Sequence, residues 1–170
     1  YPLRKGIPRE ELKSKLKLPP RVFNAVIAYI VNHQRLLLDN QAYLCLPNHE
    51  VNFDASQQEK VTGLMRKFAA NPFGPPSIKE CQAEVGEEIL NALIEKGELT
   101  GVSQEIIFRT GDYQAMVTRI KSALQKNEKI TLAEVRDLFN TTRKYVQALL
   151  EHLDAIGVTI REGDFRKLRK

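Results

Sequence analysis

Five consecutive residues, Thr141, Thr142, Arg143, Lys144 and Tyr145, bring two hydroxyls, a guanidinium, an ammonium and a phenol to a place where a helix should begin. A helix start leaves backbone N–H groups without partners, and two cations beside them make an anion the natural ligand. The guanidinium can hold phosphate bidentately, stack on an extruded base or read guanine, while the ammonium supplies a mobile point charge. Positive charge in a first turn opposes the helix macrodipole, so helix stability gives no reason for the pair. One threonine is expected to cap the helix, leaving the other hydroxyl for phosphate. Tyr145 stands beside Val146, so its ring either stacks on a base or is partly buried.

A second cluster lies twenty residues on, where Arg161, Asp164, Phe165, Arg166 and Lys167 surround Gly163. Phe165 is an aromatic at a turn, free to pack on a base or ribose unless it folds back onto the preceding helix. Arg169 and Lys170 form a basic end whose attraction to RNA would be unspecific.

These residues need elements to position them. Thr131 followed by Glu134 is a capping-box pattern that opens a helix reaching Phe139, and Asn140 and Thr141 break it. From Thr142, Val146, Leu149, Leu150, Leu153 and Ile156 recur at spacings of three and four, which predicts a helix with one buried stripe. Gly157 is its expected left-handed stop. Val158–Ile160 and Lys167–Arg169 then flank Glu162, Gly163 and Asp164 as a hairpin. Helix, turn, helix and hairpin make a winged helix directed at nucleic acid.

The same order recurs upstream. Ser56–Glu59 opens a helix to about Ala70, the stretch 71–76 interrupts it, and Ser77 with Glu80 caps the next. A third helix follows with Ile89, Leu90, Leu93 and Ile94 on one face, then Gly97, then a hairpin from Glu98–Val102 and Glu105–Arg109. Gly97 and Gly157 lie sixty residues apart, a period suited to one small domain each. The first copy opens at Pro8 without a first helix. It continues through a helix from Pro20 to Val31, with Val22, Phe23, Val26, Ile27 and Ile30 inward, and a hairpin of 35–38 and 41–46 across Asp39 and Asn40. A helix from about Asp112 to Asn127 should join the last two copies rigidly. The expected fold class is therefore α+β, mainly helical: a tandem array of winged-helix domains at 1–54 (truncated at its first helix, so that the chain reads as a fragment), 55–110 and 111–170.

Charge follows this division. Lys and Arg against Asp and Glu number eight to five in 1–54, six to eight in 55–110 and twelve to eight in 111–170, within a total of +5. The acidic middle and basic ends favour the last copy as the reader of a polyanion. No apolar run approaches the roughly 20 residues that span a bilayer, no signal pattern opens the chain, and Cys45 and Cys81 have no paired ligand spacing. A reduced, cytoplasmic setting without membrane contact is expected, and a monomer. His33, His49 and His152 lack ligand partners at diagnostic spacing, and no phosphate-binding glycine loop or nucleophile–base pair occurs. Catalysis and a metal site are not expected.

The run Ile130-Thr-Leu-Ala-Glu-Val-Arg-Asp-Leu-Phe-Asn-Thr-Thr-Arg-Lys-Tyr145, continuing through Leu149–Asp164, resembles the terminal winged-helix module of the bacterial selenocysteine-specific elongation factor. Tyr1–Ser14 resembles the entry to an earlier module, and Phe73-Gly-Pro-Pro-Ser-Ile-Lys-Glu80 the module between. The resemblance covers nearly the whole chain, and the Arg-Lys-Tyr helix start is its most discriminating part. It implies binding of an mRNA stem-loop, the selenocysteine insertion element, through Thr141–Tyr145, Arg161 and Asp164–Lys167. It also implies a ribosome partner, with GTP, magnesium and selenocysteinyl-tRNA handled by upstream domains outside this chain, and no cofactor within it. One departure is that Thr159-Ile160-Arg161 stands where the family often has two arginines. A DNA-binding regulator and a protein-interaction array are the competing readings, because a winged helix more often lays its recognition helix in the major groove of B-DNA.

Overall fold

The structure is a computed structural model that describes the chain except residues 1, 2, 5, 34–36, 40–42, 48 and 170. It divides into two compact units, Tyr1–Asp54 and Ala55–Lys170.

In the first unit a short strand β1 (Ile7–Pro8) leads into α1 (Arg9–Leu16) and α2 (Pro20–Asn32), followed by β2 (Leu37–Asp39) and β3 (Tyr43–Cys45). The three strands form an antiparallel sheet in the order β1-β3-β2, with Ile7 and Leu38 both opposite Leu44. Pro20 sits in the first turn of α2, where its missing N–H costs nothing. The core is Phe23, Ile27 and Leu44, with Ile7, Leu12, Leu18 and Val31 packed against it. Gly6 is required where it is, since a Cβ there would lie 2.7 Å from the Leu44 carbonyl oxygen.

Two expectations for this unit need correction. Val22, 46% exposed, and Val26 face outward with Tyr29, because the small core fully buries Phe23 and Ile27 of α2 and takes Val31 at its edge. Asp39 belongs to β2, paired with Tyr43. The expected turn residue Asn40, Arg35 and Leu36 of the first strand, and Gln41 and Ala42 of the second lie outside the described residues.

The second unit repeats one plan. Its first half comprises α3 (Ala55–Ala70), α4 (Ile78–Val85), α5 (Glu87–Glu95) and the hairpin β4 (Leu99–Gly101) with β5 (Ile107–Arg109). The second half comprises α6 (Thr110–Asn127), β6 (Ile130–Thr131), α7 (Leu132–Phe139), α8 (Arg143–Ala155), β7 (Thr159–Glu162) and β8 (Phe165–Leu168). β8 is central in the sheet order β6-β8-β7.

The halves share their local solutions. α4 and α7 each start with a full capping box, Ser77 with Glu80 and Thr131 with Glu134. α5 and α8 each stop by the same double closure: Glu98 N–H donates to Leu93 O and Gly97 N–H to Ile94 O, and Val158 and Gly157 bond Leu153 and Asp154 in the same way. Both glycines hold φ +75°, a left-handed conformation that a Cβ disfavours. α3 begins one residue before Ser56, so Ser56 is not its cap.

No linker separates the halves, because β5 ends at Arg109 and α6 begins at Thr110. Val102, Ile106 and Phe108 of the middle hairpin belong to one core with Met116, Ile120 and Leu124 of α6 and Val146, Leu149, Leu150 and Leu153 of α8. Ile156, expected on this buried stripe, is 53% exposed: it is already the C-cap residue, where the backbone leaves the helix. Ile94 is likewise exposed in the last turn of α5.

Candidate nucleic-acid interface

α7 ends at Asn140, whose left-handed conformation (φ 47°, ψ 50°) turns the chain into α8. Thr142 occupies the N-cap position with extended backbone, yet its side chain makes no capping bond. Thr141 does not cap either. Its hydroxyl donates to the Phe73 carbonyl at 2.5 Å. Thr142 is thus the N-cap residue, as expected of one of the two threonines, but without a side-chain capping bond, while the loop ahead of α4 takes up the hydroxyl of Thr141. That loop holds more of α8. The Tyr145 hydroxyl donates to Pro75 O at 3.0 Å, and its ring meets Phe108 edge-on with centroids 6.4 Å apart. Phe73 packs on Phe139 at 5.0 Å. Of the two readings for Tyr145, the half-buried one holds.

The Lys144 ammonium pairs with Glu105 of the middle hairpin at 3.0 Å. Each partner favours the other's charged form. The Glu105 carboxyl is held below its ordinary range and the Lys144 amine above it, chiefly by that hydrogen bond. Both groups are exposed, so the pair contributes little stability. Arg143 is exposed, and its guanidinium has no hydrogen-bond or ion-pair partner among the described residues. The five consecutive residues thus divide. Thr142 and Arg143 face solvent, while Thr141, Lys144 and Tyr145 reach the first half of the unit. The first turn of α8 contains no acidic residue to offset its cations.

In the wing, strand alternation sorts the candidates. Ile160, Glu162, Phe165 and Lys167 share one face, and Thr159, Arg161, Arg166 and Leu168 the other, following the register Ile160↔Lys167 and Arg161↔Arg166. Arg166, expected at the RNA surface, is only 3% exposed. Its Nε donates to Asp154 Oδ2 at 3.2 Å, and Thr159 Oγ1 donates to the other oxygen of the same carboxylate at 2.5 Å. Arg166 therefore anchors the wing to α8 and does not present a charge to a ligand. Arg161 is exposed and donates to Gly163 O at 3.0 Å across the turn that also exposes Asp164. Lys167 pairs with Glu162 at 2.5 Å.

Phe165, 38% exposed, lies beneath the Lys129 ammonium, 4.5 Å from its ring centroid. Lys129 was not among the sequence candidates. It follows Glu128, which has φ +61°, and the pairing of Thr131 with Phe165 brings it over the ring. Among the described residues no hydrogen bond or ion pair joins the wing to the start of α8.

Among the described residues no group of three or more His, Cys, Asp or Glu could hold a metal ion, and no helix is long and apolar enough to cross a membrane. His33 Nδ1 donates to Tyr29 O, and His49 Nε2 lies 2.7 Å from Arg4 O. His152 packs edge-on against Tyr113, and burial lowers its pKa. Burial pushes the Cys81 thiol up to about 11, which keeps it protonated and unreactive.

Family models described as "Elongation factor SelB, winged helix" match residues 122–168 and 1–42, together just over half of the chain. The chain is 28% identical to the selenocysteine-specific elongation factor of Desulfomicrobium baculatum, over 99% of this chain and 28% of that protein. It is 24% identical to that of Haemophilus influenzae, over 91% and 26%. It thus spans roughly a quarter of the length of these relatives. Among solved structures, the mRNA-binding domain of elongation factor SelB from E. coli in complex with SECIS RNA superposes with a TM-score of 0.56 at 23% identity, over 69% of this chain and 100% of that one. A bacterial selenocysteine-specific elongation factor superposes with a TM-score of 0.56 at 20% identity, over 97% and 26%. Likeness at such identity shows the winged-helix fold.

Proposed function

The chain belongs to the winged-helix family of elongation factor SelB, and from that premise we propose that its last module, 111–170, binds an mRNA hairpin of the selenocysteine-insertion class. Binding tethers a translation factor that brings selenocysteinyl-tRNA to the ribosome. GTP hydrolysis, magnesium and the tRNA belong to other parts of a longer cytoplasmic, monomeric protein, and this chain is not itself an enzyme.

One observation carries the reading at the residue level. Arg143 opens α8 beside Thr142 with its guanidinium uncommitted among the described residues, in a first turn that has no acid. The deep, narrow major groove of A-form RNA admits no helix lengthwise, so a recognition helix must present its end to a loop. Arg143 supplies a phosphate clamp or stacking plane there, and Thr142 a hydroxyl. Along the wing, Arg161 and Lys167 contact the backbone, Phe165 offers a ring to a base or ribose, and Asp164 accepts from a base amine. Thr141 and Tyr145 fix the angle of α8. The flank of α8 argues against a DNA reader, since a stripe that begins at Arg143 runs through Gln147 to the carboxylate of Glu151.

The test is the affinity of the 170-residue chain for a selenocysteine-insertion hairpin against a loop-scrambled hairpin and duplex DNA, with salt varied. Hairpin preference that disappears in Arg143→Ala supports the reading. Equal, steeply salt-dependent binding to all three polyanions overturns it.

A further inference from the structure

We infer that the groove between α8 and the tip of the middle module's hairpin is a second RNA subsite, which takes one unpaired base carrying an exocyclic amino group. This rests on the reading that the last module binds an RNA hairpin. The groove measures about 630 Å³, inside the range of roughly 300–1,000 Å³ typical of small-ligand sites. Arg143, Gln147 and Glu151 line one side, each four residues from the next and so on one face of α8. Gln104 and Glu105 line the other side, and the buried side chain of Ile106 forms the floor. An apolar floor that belongs to the shared core is rigid and suits the flat face of a base.

The polar groups of the walls select the occupant. Gln147 Nε2 donates to Glu151 Oε1 at 2.9 Å, leaving the amide oxygen and the second carboxylate oxygen as acceptors. Glu105 gives Oε2 to Lys144, leaving Oε1. The oxygens left over on Gln147, Glu151 and Glu105 outnumber the free donors and accept from the amino hydrogens of adenine, cytosine or guanine, whereas uracil offers a single imino N–H between two carbonyls. With Lys144 neutralised by Glu105, Arg143 is the cation left at the groove to hold the phosphate of the same nucleotide. The occupant is an unpaired nucleotide, because in an A-form stem the major-groove edges with the amino groups of adenine and cytosine are out of reach, and only an unstacked base can lay its face on the floor. The middle module, acidic overall, would then contribute to base selection and not to charge attraction.

The experiment selects from a pool of RNA stem-loops with randomised loops, using the 170-residue chain and sequencing the bound fraction. Gln147→Leu and Gln104→Ala, both at exposed positions, are run beside Arg143→Ala. The wild type should enrich an amino-bearing base at one loop position, and Gln147→Leu should reduce that preference about tenfold with the salt dependence unchanged. If the wild type enriches a loop and both groove variants enrich the same loop equally, the subsite is overturned while the hairpin reading stands. Enrichment of uracil at the position the variants affect also overturns it. If the wild type enriches no loop and Arg143→Ala binds equally, the hairpin reading and the subsite fail together.

Discussion

The Tyr145 hydroxyl and the Pro75 carbonyl, seventy positions apart in the chain, are joined by a hydrogen bond of 3.0 Å. Thr141 makes a parallel bond to Phe73. The start of α8, which carries the exposed Arg143, is thereby fixed to a proline-containing loop in the first half of the same unit.

Tyr145→Phe keeps the ring against Phe108 and removes only the donor. The buried Pro75 carbonyl then loses a partner, at an expected cost of about 1 kcal/mol, read from the urea midpoint of the second unit. Affinity for hairpin RNA should fall less than in Arg143→Ala. An unchanged midpoint would show that water replaces the phenol without cost.

Asp154→Ala should be far more damaging. It strands the Arg166 guanidinium, 3% exposed, without its counter-charge and also takes the acceptor from Thr159. Removing one partner of a buried pair costs about 3 kcal/mol or more, whereas Thr159→Val should cost about 1 kcal/mol. Chemical denaturation of both variants checks the order, and a smaller loss for Asp154→Ala would mean that Arg166 swings out to water.

Lys167 and Glu162 give a sign test for the wing. Their ion pair must loosen for Lys167 to meet phosphate, so Glu162→Gln should tighten RNA binding while Lys167→Ala weakens it. Each lost phosphate contact lowers the slope of log affinity against log salt by about 1. Titration at several salt concentrations reads both, and a Glu162→Gln variant that binds more weakly would remove Lys167 from the interface.

His152 should make the second unit weaken in mild acid. Its ordinary value of 6.5 is lowered in the fold by burial beside Tyr113. The unfolded chain therefore binds more protons between the two values. Stability is complete above about 6.5 and declines as pH falls through the folded value. His152 is the sole histidine of Ala55–Lys170, so its ring resonance is readily assigned, and a midpoint at or above 6.5 by NMR titration would contradict the shift.

The elements were largely legible in the sequence because local chemistry determines them. Both capping boxes, both glycine stops and the α8 stripe through Leu153 stand where spacing and turn residues put them. The side-chain partners within the interface were not. Nothing near Tyr145 announces Pro75, and nothing near Lys144 announces Glu105, because each pairing is made by tertiary packing across the unit. Arg166 was a different kind of miss. Strand alternation puts it on the face of Leu168, opposite to Lys167, and composition alone treats three neighbouring basic residues of a hairpin alike.

The core that joins Phe108 to Leu149 has a thermodynamic corollary. Halves that bury the same side chains lose them together, so they melt as one cooperative body. A ligand that binds only the folded form stabilises that whole body by RT ln(1 + [L]/Kd). RNA held at the start of α8 should therefore raise the melting temperature of α3 and α4 as well, although those helices need not touch a nucleotide.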